Sequence, residues 1–280
     1  MATIGVFLGR AYQHWFWDAP YRTLLWDESL MRPLLERFLH VSWSDYASNL
    51  GVDRGIRVVM KVIGSFFGLG ALVAAFPHFF PKRVWKLWLI LSGWLVFLSF
   101  LYYKENYYQL GQFIEYALQV ATPLFFYVLM DRGELNISWG RWMRIATALT
   151  FTGHGLYAIG FYPRPGHFTT MTIQALDISQ EYANQFLWTA GILDFIVALW
   201  VLLIIPGRGY ALAYCIFWGL LTSLARIWAN FYPEFWVNSI HQWLFEFVYR
   251  TPHFLIPFAI LLLGPPPRRR LYRKYLRNMD

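Results

Sequence analysis

The chain has 280 residues, 58% of them hydrophobic, 21% aromatic and only 14% charged, and its formal net charge is +8. Soluble domains carry about 25% charged residues, so this balance excludes an ordinary soluble domain and points to an all-α polytopic membrane protein. The single cysteine, Cys215, excludes an internal disulfide and a cysteine-rich metal centre, and inside an apolar run it reads as a small buried hydrophobe.

Eight apolar segments of near-bilayer length are predicted. They run over Ala2–Trp17, Gly55–Phe76, Val84–Tyr103, Leu110–Met130, Ile145–Phe161, Gln185–Ile205, Ala211–Phe231 and Ile240–Leu263. Crossing hydrocarbon takes roughly 20 helical residues, and a backbone in lipid must satisfy its own polar groups, which favours helices. The alternating strands of about ten residues that mark a β-barrel are missing. The first segment is the shortest and carries Arg10 and His14. No basic stretch precedes it, so it reads as an uncleaved span. Gly64, Gly68 and Gly70 in segment two give the small-residue spacing of close helix packing.

Two long loops lie on one side. The first, 18–54, mixes Leu24, Leu25, Leu30, Met31, Leu34, Leu35, Phe38 and Leu39 with charges, a spacing that predicts short interfacial helices with Pro33 early in one of them. The second, 163–184, is Thr-rich and less amphipathic. The opposite side collects Lys82, Arg83, Lys86, Arg132, Arg141, Arg144, Arg208 and the basic tail 264–280. Basic loops stay in the cytoplasm, so both termini are expected there, in a cell inner membrane. The tail follows an apolar span and a Gly-Pro-Pro-Pro stop, so an anionic lipid surface is its expected partner and nucleic acid is not.

The pattern repeats. Thr122-Pro123-Leu124-Phe125 returns as Thr251-Pro252-His253-Phe254, Pro77 returns as Pro206, and Gly93 returns as Gly219, all at offsets near 129 residues. The expected architecture is two tandem four-helix units, 1–133 and 141–263, in the same orientation. Gly9-Arg10 with Gln13-His14, Gly153-His154-Gly155, and Ala190-Gly191-Ile192-Leu193-Asp194 carry a resemblance to the DoxX-like group. In layout the chain is similar to the membrane part of vitamin K-dependent carboxylase and its HTTM relatives. Phe67 stands where a first-half counterpart of Asp194 would be. The resemblance implies a four-helix membrane fold, with roles in quinone-linked oxidation, carboxylation or accessory membrane functions. The chain shows no soluble carboxylase domain.

Charged residues at mid-membrane cost about 2.5–3.5 kcal/mol on insertion scales, so each needs a partner. In the second half, His154, Asp194, Arg226, Asn230, Gln242, Glu246, Arg250 and His253 are aimed at one interior, with Asp194–Arg226 and Glu246–Arg250 as expected pairs. In the first half Arg10, His14 and Asp18 share a stripe spaced by four with Arg22, and Glu115 is expected to meet Lys61 or Arg10. Neither His14 with Asp18 nor His241 with His253 makes a metal site. No catalytic residue is assigned and no cofactor is required. The leading reading is a non-catalytic subunit or accessory of a membrane assembly, with other membrane subunits as partners and a polar pocket that takes a lipid or quinone-like head group. The alternatives are a quinone-linked membrane enzyme using His154 and Asp194 for proton transfer, a small-solute transporter, and polar pairs that only fix helix register.

Overall fold

A computed structural model describes residues 1–203 and 206–263. The basic tail 264–280 and the end of segment six lie outside the described residues. In chain order the helices are α1 (Ala2–Phe16), α2 (Arg22–Leu25), α3 (Glu28–Leu34), α4 (Trp43–Ser48), α5 (Leu50–Ala75), α6 (Lys86–Glu105), α7 (Leu110–Ile114), α8 (Ala117–Arg132), α9 (Ile137–Ala158), α10 (Gly166–Leu176), α11 (Gln180–Leu202), α12 (Arg208–Trp228), α13 (Trp236–Tyr249) and α14 (Pro252–Leu263). The described residues hold no strand.

Side chains set several of these boundaries. Asp27, Ser42, Asn49 and Asn136 cap the starts of α3, α4, α5 and α9 by accepting from free backbone N–H groups. Gly133 ends α8 in the left-handed conformation that glycine adopts without strain.

Among the described residues six segments are long and apolar enough to cross a membrane: α5, α6 with its lead-in from Lys82, α7 with α8, α11, α12, and Pro233–Leu263. Their outward faces are apolar, as lipid demands. On α5, Ile56, Met60, Phe67 and Ala71 are buried while Val58, Val59, Val62, Phe66 and Leu69 stay exposed. The other two expected spans differ in kind. Helix α1 has 15 residues, a length of about 22 Å at 1.5 Å per residue. Helix α9 has 22 residues but carries Arg141, Arg144 and several Thr and Gly. Both are surrounded mainly by protein. Val6, Phe7, Arg10 and His14 of α1 are buried, as are Met143, Thr147, Thr150 and Phe151 of α9.

Each half uses the same pairings. The first helix lies along the second (α1 on α5, α9 on α11), and the third lies on the fourth (α6 on α8, α12 on α14). Each first helix also crosses to the other half, α1 onto α13 and α9 onto α7 and α8. Helix α8 therefore serves two cores. Its Leu118 and Phe125 join the core of Met143, Phe151, Val201 and Cys215, while its Val120, Phe126, Tyr127 and Met130 pack on the core of Phe7, Phe67, Trp88 and Leu95.

Both fourth segments, expected as single helices, are broken. The first turns at Glu115-Tyr116 and the second at Arg250-Thr251. The second break follows from Pro252, which disfavours helical geometry at Thr251 and suits the start of a new helix. The 18–54 loop forms the short helices expected of it, but Pro33 sits near the end of α3, where a π-turn over Leu35–Leu39 follows. Ion pairs of Arg22 with Asp18 at 2.6 Å and with Asp53 at 2.7 Å, and of Lys104 with Asp27, tie that loop to the bundle. The second loop contains α10, which its composition did not predict.

Candidate functional site

A cavity of about 380 Å³ lies in the second half, enclosed by α9, α11, α12 and the start of α14, with α10 folded over it. Its walls are largely apolar and its polar groups are His154, Asp194, Thr172, Thr222, Arg226, Arg250 and His253. On the outward side the rim is made by Phe186, Leu221, Leu224 and Trp228. All four are exposed, Trp228 to 73%, and they belong to the bundle surface that an apolar medium would cover. The cavity thus combines buried polar groups with a rim of exposed apolar side chains.

Glu246 organises the inner end. Its Oε2 accepts from Arg250 Nη1 at 3.0 Å and lies 2.8 Å from Arg226 Nη1 in an ion pair, so one carboxylate serves two guanidinium groups. The expected Glu246–Arg250 pair forms. The expected Asp194–Arg226 pair does not. Asp194 is buried on α11 and accepts instead from the Tyr214 hydroxyl at 3.1 Å, with no cation within ion-pair distance among the described residues. The sequence placed Asp194 and Arg226 at compatible depths, but helix rotation turns Arg226 toward α13. Asn230 donates to the Arg226 carbonyl and stays beside the cluster. Gln242 does not join it; it is exposed on the far face of α13.

Beside the arginines runs a chain of polar contacts. His253 Nδ1 donates to the Arg250 carbonyl at 2.9 Å, because a carbonyl oxygen only accepts. His253 Nε2 meets His154 Nε2 at 3.2 Å. His154 Nδ1 faces Glu115 Oε2 at 3.3 Å, and Gln112 donates to Glu115 Oε1 at 2.6 Å. Glu115 therefore pairs with His154, in contrast to the expected Lys61 or Arg10. Two glycines allow the approach. A Cβ at Gly153 would lie 2.8 Å from the Glu115 nitrogen, and one at Gly219 would lie 2.7 Å from the His253 carbonyl oxygen.

The first-half residues form a separate centre. Arg10 is fully buried, donating to Gln13 and Gln119 at 2.7 Å each. Its guanidinium carbon lies 4.1 Å from the Tyr249 ring centre, with Tyr116 and Tyr102 also in cation–π range. No carboxylate comes within ion-pair distance of it among the described residues. His14 donates to the Arg10 carbonyl at 2.6 Å and shares a hydrogen bond with the Tyr21 hydroxyl at 2.8 Å, so both ring nitrogens of this core histidine are satisfied. Asp18 lies beyond the end of α1 in the loop ion pairs, and Lys61 is exposed with its ammonium 5.6 Å from the Trp15 ring. The expected stripe thus divides into a buried part and a surface part.

Several partners were missed: Gln112, Gln119, Tyr116, Tyr214 and Tyr249. A signal existed for three of them. Gln112, Glu115, Tyr116 and Gln119 repeat at helical spacing and mark a polar face on segment four. Tyr214 and Tyr249 carried none, since aromatic residues are common throughout this chain. Comparison of the chain with protein-family models, curated proteins and solved structures gave no match.

Proposed function

We propose that this chain is a membrane-embedded binding protein, a non-catalytic subunit or accessory of a membrane assembly. The cavity of its second half receives an amphipathic, lipid-like ligand sideways from the bilayer. In this reading all eight segments lie in the membrane as two related four-helix units of DoxX-like layout. The termini are cytoplasmic and the membrane is a cell inner membrane. One observation carries the proposal: a cavity whose inner end holds Arg226, Arg250 and two histidines opens past exposed apolar side chains. A head group gains hydrogen bonds at the inner end while its tail stays in lipid. Ligand pockets generally pair apolar walls with a few placed polar groups.

The test is cavity filling. Ala225 lines the cavity, and an Ala225→Trp variant places an indole there. Purified wild type in a neutral detergent is expected to carry amphiphile detectable by native mass spectrometry, and the folded variant to lose it. Equal retention by both proteins would overturn the reading. One observation favours a second reading. The chain from Glu115 through His154 to His253 is suited to moving a proton, as a quinone-linked oxidoreductase requires. Turnover of a soluble quinol analogue by the purified chain would establish that alternative.

A further inference from the structure

Resting on the binding reading, we infer that the head group held in this cavity is a monoanion, a carboxylate or phosphodiester on an apolar tail. Two arginines on one carboxylate, with Arg226 facing the cavity, carry it.

The chain from Glu115 to the Arg250 carbonyl has three contacts: Glu115 with His154, His154 with His253, and His253 with the carbonyl. Glu115 does not line the cavity; its Oε1 accepts from Gln112 and its Oε2 faces His154. At the inner end Arg226 and Arg250 share Glu246, two cations on one carboxylate, so these three residues carry one positive unit. Asp194 lines the wall on α11, where it accepts from Tyr214 and lies outside ion-pair distance of both arginines.

An unbalanced buried cation is unfavourable, and the structure leaves room to balance it. Arg226 uses Nη1 on Glu246, and its other N–H groups have no protein acceptor among the described residues, while the side chain lines the cavity. A planar guanidinium fork fits a carboxylate or phosphate oxygen pair. A neutral quinone ring would leave the charge uncompensated.

The experiment titrates detergent-solubilised full-length protein with four probes: oleate, dioleoyl phosphatidylglycerol, oleyl alcohol and a decyl-substituted benzoquinone. Thermal unfolding and tryptophan fluorescence report binding. Wild type is expected to bind at least one anion about tenfold tighter than oleyl alcohol, the equivalent of one charge-assisted hydrogen bond. Oleate leading would indicate a carboxylate head, and phosphatidylglycerol leading a phosphodiester. Arg226→Gln sets the cluster to zero and should erase the preference. Arg226→Gln with Glu246→Gln returns it to one positive charge and should restore it. A purely structural Arg226 would not give that reversal. If the double variant lacks the preference, the inference falls, even where the single variant does not fold. If oleyl alcohol or the quinone binds as tightly as the anions, and Ala225→Trp blocks them, the monoanion inference fails and the pocket reading stands. If Ala225→Trp blocks nothing, the pocket reading fails first.

Discussion

Replacing Glu246 by Gln tests the shared carboxylate at the centre of the second half. Arg226 and Arg250 each place a nitrogen within about 3 Å of the same oxygen, so those nitrogens stand no more than about 6 Å apart. At an effective dielectric near 20, two like charges at that separation repel by about 3 kcal/mol. Removing one member of a buried ion pair typically costs about 3–5 kcal/mol, and the side chains of Arg226, Arg250 and Glu246 are 8%, 13% and 19% exposed. Glu246→Gln is therefore expected to destabilise by about 3–5 kcal/mol. Arg226→Gln removes one of two charged contacts but leaves Glu246 on Arg250, for about 1.5–3 kcal/mol. The double substitution removes both the carboxylate and one of the repelling cations. Its effect should fall short of the sum by about 2–3 kcal/mol, a large coupling for residues in contact.

The assay is equilibrium unfolding in bicelles, by denaturant or steric trapping, with the four proteins forming a double-mutant cycle. A second cycle, Asp194→Asn with Arg226→Gln, discriminates the two pairing schemes. Arg226 bonds Glu246, and Asp194 bonds Tyr214, so Asp194 and Arg226 should couple by less than about 0.5 kcal/mol. Additivity of Arg226→Gln with Glu246→Gln would refute the shared-carboxylate geometry, as would strong coupling of Arg226 with Asp194.

Gly219→Ala puts a methyl group 2.7 Å from the His253 carbonyl oxygen. It should lower stability by about 1–3 kcal/mol in the same unfolding assay, and an unchanged midpoint would mean α14 does not pack that closely. Arg10→Lys replaces a fork that reaches two amides with a single ammonium. It should cost about 1–2 kcal/mol despite the conserved charge, and Arg10→Lys matching wild type would show that charge alone matters there. The Lys104 ammonium, with the Ser29 hydroxyl, holds the Asp27 carboxyl down to about 2. A depressed folded-state value means the docking of α3 is present above the ordinary carboxylate range near pH 4 and is lost as pH falls toward 2. Hydrogen exchange over residues 18–54 should rise across that window in wild type. In Lys104→Met it should already be raised at neutral pH.

What could be read in advance was whatever depends on surroundings alone. Apolar runs bounded by Pro, Gly and charge located the helices, because lipid-facing side chains must be apolar over a fixed length. Segments one and five were found too, but α1 and α9 fall outside the six long apolar spans because their surroundings are protein, where Arg10, His14, Thr147 and Thr150 are tolerated once bonded. That these helices are short or polar is thus itself a sign of centrality. The costly residues His154, Arg226, Glu246, Arg250 and His253 were identifiable for the converse reason: ionisable groups inside apolar segments have few stable places except a shared interior.

Pairing along one helix was readable, as Glu246 with Arg250 shows, but pairing between helices was not, and the reason is rotational. A residue's depth follows from its position in a segment, but its direction turns by about 100° per residue. A break in the segment resets that direction. The breaks at Glu115-Tyr116 and at Arg250-Thr251 each turn a helix at the depth where the partners meet. Glu115 thereby faces α9 and His154 instead of Lys61, and the Arg250 carbonyl is freed to orient His253. Pro252 announced the second break in the sequence, and the chemistry of the cavity is assembled at that break. A membrane helix interrupted beside a charged residue leaves backbone groups that must be satisfied inside the protein. Here the ring of His253 satisfies one of them, and its orientation sets the hydrogen bond to His154, whose other ring nitrogen faces Glu115.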